Sequence, residues 1–375
     1  MIKIKTIETK KDLRKFVKLP FKIYKGSVNW VPLLIMDDME AFSPQKNPAH
    51  ERADSRLFLA YKDGKPVGRI VGIISRVANE KYQTRNIRFG WFESINDYEV
   101  AEALFKAVEN WGKENGMETV TGPLGYTDLD PEGMLIEGFD ELPTIASNHN
   151  HPYYQGLLEK YGFEKEIDYI EFKAKIPSED EIPAKLLRLA DRIKQRGSLK
   201  VLEFKRKRQM IRRGEELFYL LDEAFDEIYG SVPLSDKQIK YYVNKYIFYV
   251  HKNLLKAITN EKDEMVGFMI AMPSLSRAFQ KAKGRLLPFG WYHLLKALKT
   301  YETLDFYLAG VRKKYRGVGV DLLMVIEVAK SAHRMGFKYS ESNLELETNT
   351  KIHGLWKYFN PTQHKRRRVF KKRIA

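Results

Sequence analysis

The stretch Val311-Arg-Lys-Lys-Tyr-Arg-Gly-Val-Gly-Val-Asp321 decides the fold of the second half of the chain. A strand-like run, residues 304–310, precedes it, and a helix-like run, residues 322–335, follows it. Strand, glycine turn and helix together predict a phosphate cradle. Glycines let a ligand approach the main chain, and the first amides of a helix have no partners within it. The alternative is a glycine-containing turn on a basic surface.

The candidate phosphate-binding residues are those of the turn and of the strand end that leads into it. They are Val311, Arg312, Arg316, Gly317, Val318, Gly319 and Val320. We expect the main-chain donors to be exposed near Val318. The basic side chains of the turn, with Lys313 and Lys314 among them, add positive charge that favours an anion.

The composition limits the classes of protein to consider. A hydrophobic fraction of 43% over 375 residues is enough for packed cores and is typical of two domains. The absence of cysteine excludes disulfides, thiolate zinc sites and a cysteine nucleophile. No apolar stretch is long enough to cross a bilayer, and residues 1–6 lack the apolar core of a signal peptide. We therefore expect a soluble, cytoplasmic protein.

The net charge of +16 is carried by the second half of the chain. Residues 1–176 have 25 Lys and Arg against 27 Asp and Glu, whereas residues 177–375 have 40 against 22. This excess either solubilises the surface or attracts an anionic ligand or partner. Coenzyme A, acyl carrier protein, tRNA and an anionic membrane surface are the candidates.

The order of elements predicts an internal duplication of one α/β unit. Residues 61–68 and 259–267 both join two apolar strands and both end in Val-Gly, and residues 157–163 and 355–361 both end a late helix. We predict an N-terminal domain over 1–176, a linker and connecting helix over 177–198, and a C-terminal domain over 199–375. Each domain is expected to be a mostly antiparallel mixed sheet flanked by helices, an α/β (α+β) class.

This pattern resembles the GNAT superfamily of N-acyltransferases, in tandem and over nearly the whole chain. The stretch Gly122-Pro-Leu-Gly-Tyr-Thr-Asp-Leu-Asp-Pro-Glu-Gly133 is also similar to a group of uncharacterised bacterial tandem proteins. The resemblance implies acetyl-CoA or another acyl-CoA as co-substrate. It further implies acyl transfer, most simply N-acetylation, to an unidentified small-molecule amine or other acceptor.

A GNAT unit binds the pyrophosphate of acyl-CoA with an Arg/Gln-x-x-Gly-x-Gly/Ala loop after its fourth strand. Arg316, Gly317 and Gly319 match this loop, but Asp321 stands where Gly or Ala is expected. A carboxylate there is unfavourable for pyrophosphate unless it points away, and it can instead cap the helix. In the first half the corresponding stretch, residues 93–97, is acidic and lacks glycine. The resemblance therefore implies that only the second half binds coenzyme and that a degenerate first half shapes the acceptor site.

Two further family positions match only in part. Asn349 stands on the turn where GNAT units often place an asparagine within reach of pantetheine. The usual tyrosine that protonates the leaving thiolate falls at Trp356, with Tyr358 offset by two residues, and in the first half at Leu158. The familiar acid is thus absent from both halves.

Glu345 and Glu347 are the candidate catalytic residues. They alternate with leucines in a predicted strand over residues 342–347, which would place both carboxylates on one face beside the expected thioester. One of them can accept the amine proton, directly or through water. The alternative is an exposed strand face with ordinary surface charges.

Asp128, Asp130 and Glu132 form the most distinctive acidic loop of the first half. The loop can bind an amine acceptor or a hard cation, or it can be a solvated turn. His149 and His151 are two residues apart but lack a third ligand, so we predict no metal site.

Two basic features leave alternatives open. The insertion over residues 274–300 mixes large apolar side chains with lysine and arginine, and is read as a lid over the acceptor cleft or as an amphipathic membrane contact. The basic runs 205–208 and 365–368 are read as surface strands, as contacts to the 3′-phosphate of coenzyme A, or as nucleic-acid contacts.

Two rival functions remain beside acyl transfer. One is a non-catalytic ligand- or partner-binding protein, which the residues at positions 321 and 356 favour. The other is a Fem-type aminoacyl-tRNA-dependent transferase, which also uses tandem GNAT units and basic surfaces. No oligomeric state is predicted.

Overall fold

The computed structural model describes residues 1–196, 198–247 and 249–374. Its strands are β1 (Ile2–Thr6), β2 (Ala53–Lys62), β3 (Lys65–Ser75), β4 (Asn86–Ser94), β5 (Thr119–Gly122), β6 (Met134–Glu137), β7 (Glu164–Lys175), β8 (Lys200–Leu202), β9 (Leu255–Thr259), β10 (Met265–Pro273), β11 (Thr303–Val311), β12 (Tyr339–Glu341), β13 (Glu345–Leu346) and β14 (Thr362–Arg373). Its α-helices are α1 (Lys10–Lys18), α2 (Pro20–Ile23), α3 (Ile35–Ala41), α4 (Arg76–Tyr82), α5 (Tyr98–Glu114), α6 (Tyr153–Lys160), α7 (Ala184–Arg196), α8 (Lys207–Arg212), α9 (Gly214–Phe225), α10 (Asp236–Tyr246), α11 (Ser276–Ala282), α12 (Gly290–Ala297), α13 (Val320–Met335) and α14 (Thr350–Trp356).

The first compact unit consists of residues 1–170, 276–294 and those from His364 onward. Its sheet has the order β1-β2-β3-β4-β5-β14-β7, and β6 also pairs with β14. Strands β1 to β4 are antiparallel, whereas β4 and β5 are parallel and are joined by helix α5. The β2–β3 hairpin turns at Asp63 and Gly64, both with positive φ, as the Asp-Gly pair predicts.

Helix α5 is packed closely against the sheet of the first unit. Its buried face includes Val100, Leu104 and Trp111. Glycines in β3 permit this approach, because a Cβ on Gly68 would lie 2.8 Å from Leu104 and one on Gly72 would lie 2.9 Å from Trp111. The predicted helix therefore exists where its apolar period places it.

The second compact unit consists of residues 171–275 and 295–363. Its sheet has the order β7-β12-β11-β10-β9-β8, and β13 also pairs with β7. Strands β11 and β12 are parallel and are joined by helix α13, as β4 and β5 are joined by α5 in the first unit. The duplicated α/β units with mixed sheets confirm the predicted fold class.

In each sheet, one strand pairs with a strand that is distant in the sequence. In the first unit β5 pairs antiparallel with β14, with Phe370 opposite Gly122. In the second unit β12 pairs antiparallel with the end of β7, with Tyr339 opposite Lys175. These compact units are therefore not continuous stretches of chain, and the division into folding domains at 176 and 199 stays a prediction.

Some local predictions were wrong in extent. The strand expected over residues 342–347 is only two residues long. The basic run 365–368 is not a surface strand, because Lys365 and Arg367 are fully buried in the first unit. The Lys365 ammonium donates a hydrogen bond to the main-chain carbonyl of Leu142, and the Arg367 guanidinium donates one to that of Asn148.

Candidate functional site

The turn between β11 and α13 has the geometry of an anion-binding loop. A short 3₁₀ turn, Lys313–Tyr315, leads into Gly317 (φ 77°) and Gly319 (φ 91°), and α13 begins at Val320. Residues other than glycine rarely adopt this conformation. Gly319 also lies against α7, because a Cβ on it would be 2.3 Å from Cδ1 of Ile193.

A row of main-chain N–H groups is free at this turn. Within the parts of the chain that the structure describes, the amides of Gly317, Val318, Gly319, Val320 and Asp321 have no hydrogen-bond acceptor. Gly317 and Val318 are exposed, Gly319 and Asp321 are half-buried and Val320 is fully buried, so the row is open to solvent at its N-terminal end. Successive amides at the start of a 16-residue helix attract an anion through both hydrogen bonds and the helix dipole.

The basic side chains of the turn serve mainly to hold it against α9. The Arg312 guanidinium lies 2.7 Å from Glu223, and the Lys313 ammonium lies 2.9 Å from Asp226. Arg316 pairs with Glu227 and donates to the carbonyl of Ala224 at 2.8 Å. Because carboxylates compensate these three charges, anion binding at the turn depends on the main chain.

Asp321 uses its carboxylate within the first turn of α13. Its Oδ1 accepts a hydrogen bond of 2.9 Å from the amide of Leu322. Asp321 is not the N-cap of α13, because that residue is Gly319, which makes no side-chain cap bond. The Asp321 carboxylate nevertheless occupies one first-turn amide that an anion would otherwise receive. The negative charge remains beside the free amides.

Strands β11 and β12 separate just before the turn. They pair only from Thr303 with Tyr339 to Asp305 with Glu341. The β10–β11 ladder has a bulge at Tyr307, because Leu308 is opposite Ile270 and Phe306 is opposite Ala271. The carbonyl of Tyr307 accepts from Nδ2 of Asn343 at 2.9 Å, which bridges the gap between the separated strands.

Glu345, in β13, is held by Trp356. The indole Nε1 donates to Oε1 of Glu345 at 2.6 Å, so the predicted base contacts the residue that replaces the expected tyrosine. Burial raises the pKa of Glu345 to about 8, and the indole hydrogen bond opposes this rise. Glu347 lies in the turn after β13 and so does not share a strand face with Glu345.

His353 is a site residue that the sequence interpretation missed. Its Nε2 lies 3.8 Å from Oε2 of Glu345, and burial lowers its pKa, which favours the neutral ring. A hydrogen bond with the backbone of Leu346 favours the tautomer with the proton on Nδ1. The sequence signal that could have identified His353 is its position one helical turn after Asn349. Asn349 itself caps α14 by accepting a hydrogen bond from the amide of Ile352.

Three buried polar atoms of this region have no hydrogen-bond partner among the described residues. They are Oδ1 of Asn343, Oε2 of Glu345 and Nε2 of His353. Oδ1 of Asn343 and Nε2 of neutral His353 can accept a hydrogen bond, whereas Glu345, with a pKa of about 8, is protonated at neutral pH and accepts through both oxygens only when ionised. Orphaned buried acceptors are rare in folded proteins, so this cluster is suited to a ligand that donates hydrogen bonds.

An apolar cleft opens on the same strand, β11. Its free volume is about 30 Å³, and the figure reaches about 460 Å³ only when open solvent at its mouth is included. Its lining comes from the strands β9 to β11, from the helices α8 to α10 and from the chain just after α10: Met210, Gly214, Leu217, Phe218, Val243, Tyr246, Ile247, Val250, Leu255, Ile270, Met272, Tyr307 and Leu308. Tyr307 therefore borders both the cleft and the gap that contains Asn343.

The acidic loop of the first unit has mainly internal contacts. Asp130 accepts from the amides of Tyr126 (2.8 Å) and Thr127 (3.1 Å), and so closes its own turn. Glu132 is buried and accepts from the hydroxyl of Tyr169 at 2.8 Å, and burial raises its pKa to about 7. Asp128 is half-buried. The three residues are not a fully solvated turn, and their binding of an acceptor stays a prediction.

The two histidines of the first unit take part in separate contacts. His149 Nε2 lies 2.9 Å from the carbonyl of Phe139, whereas the ring of His151 stacks on Tyr24 and Tyr153. These contacts agree with loop packing.

The two units differ in the loops that lead into α5 and α13. Asp97 caps α5 by accepting from the amide of Glu99 at 3.1 Å, so a carboxylate occupies the place of an anion. Glu93, at the end of β4, was also missed from the sequence. It is buried, accepts from the hydroxyls of Tyr24 and Tyr154, and has a pKa that burial raises to about 7.

No helix in the described residues is long and apolar enough to span a bilayer. No protein-family model matches the chain.

Comparisons with known proteins agree on the architecture. The chain is 28% identical to Protein YghO of Escherichia coli K12, over 99% of this chain and 95% of that protein. It is 27% identical to the bacterial ceramide synthase of Caulobacter vibrioides, over 98% and 96%. Among solved structures, a tandem GNAT protein from the clavulanic acid biosynthesis pathway matches 100% of this chain and 99% of its own, with a TM-score of 0.56 and 10% identity. The chain therefore has the fold of a tandem GNAT protein, as its resemblance to that superfamily predicts.

Proposed function

We propose that the second unit is an acyl-CoA-dependent N-acyltransferase. The observation that carries this proposal is the row of free amides over residues 317–321 at the start of α13. Pyrophosphate is a dianionic group with several acceptor oxygens, and it matches such a row in charge and in hydrogen bonding. The GNAT-like fold of the unit, in which this loop follows the fourth strand, supports the same assignment. Asn349 contributes a side-chain amide to the pantetheine arm.

The reaction forms a C–N bond and breaks a C–S bond. The amine nitrogen attacks the thioester carbonyl carbon, coenzyme A leaves as thiolate, and one proton leaves the amine. Ionised Glu345 accepts this proton through Oε2, and Glu347 is the second candidate base. Since the pKa of Glu345 is about 8, its ionised fraction grows as pH approaches that value. Trp356 cannot protonate a thiolate at neutral pH, so the thiolate takes its proton from solvent.

The amine is the acceptor that the polar cluster favours. Asn343 and His353 offer two acceptors without partners, Glu345 adds a third when it is ionised, and an amine supplies N–H donors. Burial in the gap also favours the neutral amine that acyl transfer requires, because desolvation penalises the ammonium form. A hydroxyl acceptor would supply only one donor and leave buried acceptors unpaired.

At least one substrate carries a long alkyl chain in this proposal. The cleft beside Tyr307 and Leu308 is lined by apolar side chains, and such clefts bind alkyl groups. One relative over almost the full length is a bacterial ceramide synthase, whose name denotes formation of an amide between two lipid chains. We propose that the chain in the cleft belongs to the acyl group or to the amine, and the experiment separates the two.

The test combines binding and turnover in the full chain. Hydrogen exchange is followed with acetyl-CoA and with palmitoyl-CoA, and protection is expected in the peptide spanning residues 312–322 but not in that spanning residues 93–99. Release of coenzyme A is then measured with short polyamines and with long-chain amino alcohols. A preference for palmitoyl-CoA with any amine assigns the cleft to the acyl chain, and a preference for long amines assigns it to the acceptor.

Two outcomes would contradict the proposal. Saturating acyl-CoA that leaves residues 312–322 unprotected would remove the cofactor site. Protection without turnover across the amine panel would leave a ligand-binding protein rather than an enzyme. Glu345→Gln is the matched active-site variant, expected to lower turnover while retaining protection of residues 312–322.

A further inference from the structure

The segment around the start of α12 presents an unusual exposed apolar surface on the first unit. Leu287 is 76% exposed, Phe289 68%, Trp291 47% and Tyr292 52%. Four large apolar side chains exposed within six residues differ from the scattered exposure that is normal on protein surfaces. We call these four side chains the 287–292 surface.

The body of the segment is held firmly within the first unit. Ser276 Oγ donates to the carbonyl of Pro143 at 2.7 Å, and Gln280 Nε2 donates to the carbonyl of Val28 at 2.8 Å. The carbonyl of Gly284 accepts from the amide of Ile35 at 2.9 Å. These bonds fix the base of the segment, so the outward direction of the 287–292 surface belongs to the fold.

The polar atom of the central aromatic ring is already satisfied. The indole Nε1 of Trp291 donates to the carbonyl of Pro288 at 2.9 Å. The ring can therefore leave water without losing a hydrogen bond, which removes the main cost of placing an indole in an apolar medium. The phenol of Tyr292 is the kind of group that resides at a headgroup boundary.

Positive charge surrounds the 287–292 surface in the sequence. Lys281, Lys283 and Arg285 are exposed on its N-terminal side. No Asp or Glu occurs anywhere between Glu264 and Glu302. Apolar and aromatic side chains with a basic flank complement an anionic lipid surface in both chemistry and charge.

We propose that the 287–292 surface docks the protein on an anionic lipid bilayer. Leu287, Phe289 and Trp291 enter the boundary between headgroups and acyl chains, and the three cations upstream contact lipid phosphates. Docking of this kind is peripheral and reversible, and it requires no spanning helix. It does not depend on the acyl-transfer proposal, because it concerns a different surface of the molecule.

The experiment is co-sedimentation of the full chain with vesicles. Phosphatidylcholine vesicles that contain phosphatidylglycerol are compared with vesicles of phosphatidylcholine alone, at low and at high salt. Wild type is expected to bind the anionic vesicles and to dissociate as salt rises. Each cation near the surface contributes about 1 kcal/mol, so Lys281→Gln, Lys283→Gln and Arg285→Gln together should reduce partitioning about a hundredfold.

A second variant tests the apolar contribution. Phe289→Ser with Trp291→Ser is expected to abolish binding, while Ile211→Ser, at an exposed apolar residue on α8, should bind as wild type does. Circular dichroism of each variant checks that the fold is retained. Equal binding to both vesicle types, or binding that both variants retain, would overturn the proposal. So would a wild-type dimer in light scattering that Phe289→Ser with Trp291→Ser converts to monomer, because the surface would then join two copies of the chain.

Discussion

Replacement of Gly319 by alanine probes the geometry of the loop directly. Gly317 and Gly319 both have positive φ, but their surroundings differ. A Cβ on Gly317 would meet nothing within 4 Å, whereas one on Gly319 would lie 2.3 Å from Cδ1 of Ile193. Gly317→Ala therefore measures the cost of the backbone conformation alone, and Gly319→Ala adds a steric conflict between α13 and α7.

The magnitudes follow from these two terms. A left-handed conformation costs a non-glycine residue about 1–2 kcal/mol, which is the expected loss for Gly317→Ala. Overpacking adds about 1–3 kcal/mol, so Gly319→Ala should cost about 2–5 kcal/mol. Ile193→Val removes the Cδ1 atom at a cost of about 1 kcal/mol, and should relieve most of the conflict when combined with Gly319→Ala.

The assay is a double-mutant cycle in urea unfolding, with acetyl-CoA affinity measured by calorimetry on the same proteins. We expect the free energies of unfolding to be coupled by about 1–2 kcal/mol, with Ile193→Val restoring part of the affinity that Gly319→Ala loses. If Gly319→Ala is no more destabilising than Gly317→Ala, or if Ile193→Val restores nothing, the close approach of the loop to α7 is refuted.

Three further predictions concern charge, pH and the cleft. Asp321→Asn removes a negative charge beside the free amides. A charge at a helix terminus contributes about 1 kcal/mol, so the substitution should tighten acetyl-CoA binding about fivefold. Calorimetry that finds equal or weaker binding would contradict this prediction. Burial raises the pKa of Glu345 to about 8, so between pH 4.5 and pH 8 the folded state holds a proton that the unfolded state releases. The free energy of unfolding of the wild type should therefore fall by up to about 1.4 kcal/mol per pH unit between pH 4.5 and pH 8. Urea unfolding of Glu345→Gln should lack this component, and an unchanged pH dependence would place the carboxyl in water. Val250→Phe narrows the cleft and should lower kcat/KM for palmitoyl-CoA or a long-chain amine at least tenfold more than for short substrates, while equal losses for long and short substrates would exclude the cleft as the alkyl site.

The sequence predicts the regular parts of the fold well, because their signals are local. The apolar period of α5, the Asp63-Gly64 turn and the strand–loop–helix order around Gly319 each lie within a few residues of chain. Helix α10 begins at its Ser235 cap, and its Gln238 completes a capping box. Local propensity and tertiary structure agree at these places.

The candidate site was only partly predictable for the opposite reason. The interaction of Glu345 with Trp356 depends on the way in which β13 and α14 pack, and the pKa of Glu345 depends on burial. The compensation of Arg312 by Glu223 and of Arg316 by Glu227 joins residues about 90 positions apart. Sequence spacing indicates which residue types are present, but it does not indicate which charges are already neutralised.

The burial of Lys365 and Arg367 was likewise unpredictable. Runs of lysine and arginine are normally solvated, and these two are stabilised by carbonyl oxygens more than 200 positions earlier in the chain. The alternation of buried and half-buried residues along β14 shows that the run obeys strand periodicity. The pattern was visible, but the side of the strand that faces protein could not be assigned.

The pairing of β5 with β14 has a consequence for biosynthesis. During translation Thr119–Gly122 leaves the ribosome about 250 residues before Phe370, its eventual neighbour. Until β14 is synthesised, β5 lacks this neighbour and its amides are open to incorrect pairing. The nascent chain is thus exposed to aggregation at β5 throughout that interval, and a chaperone that shields β5 should raise the yield.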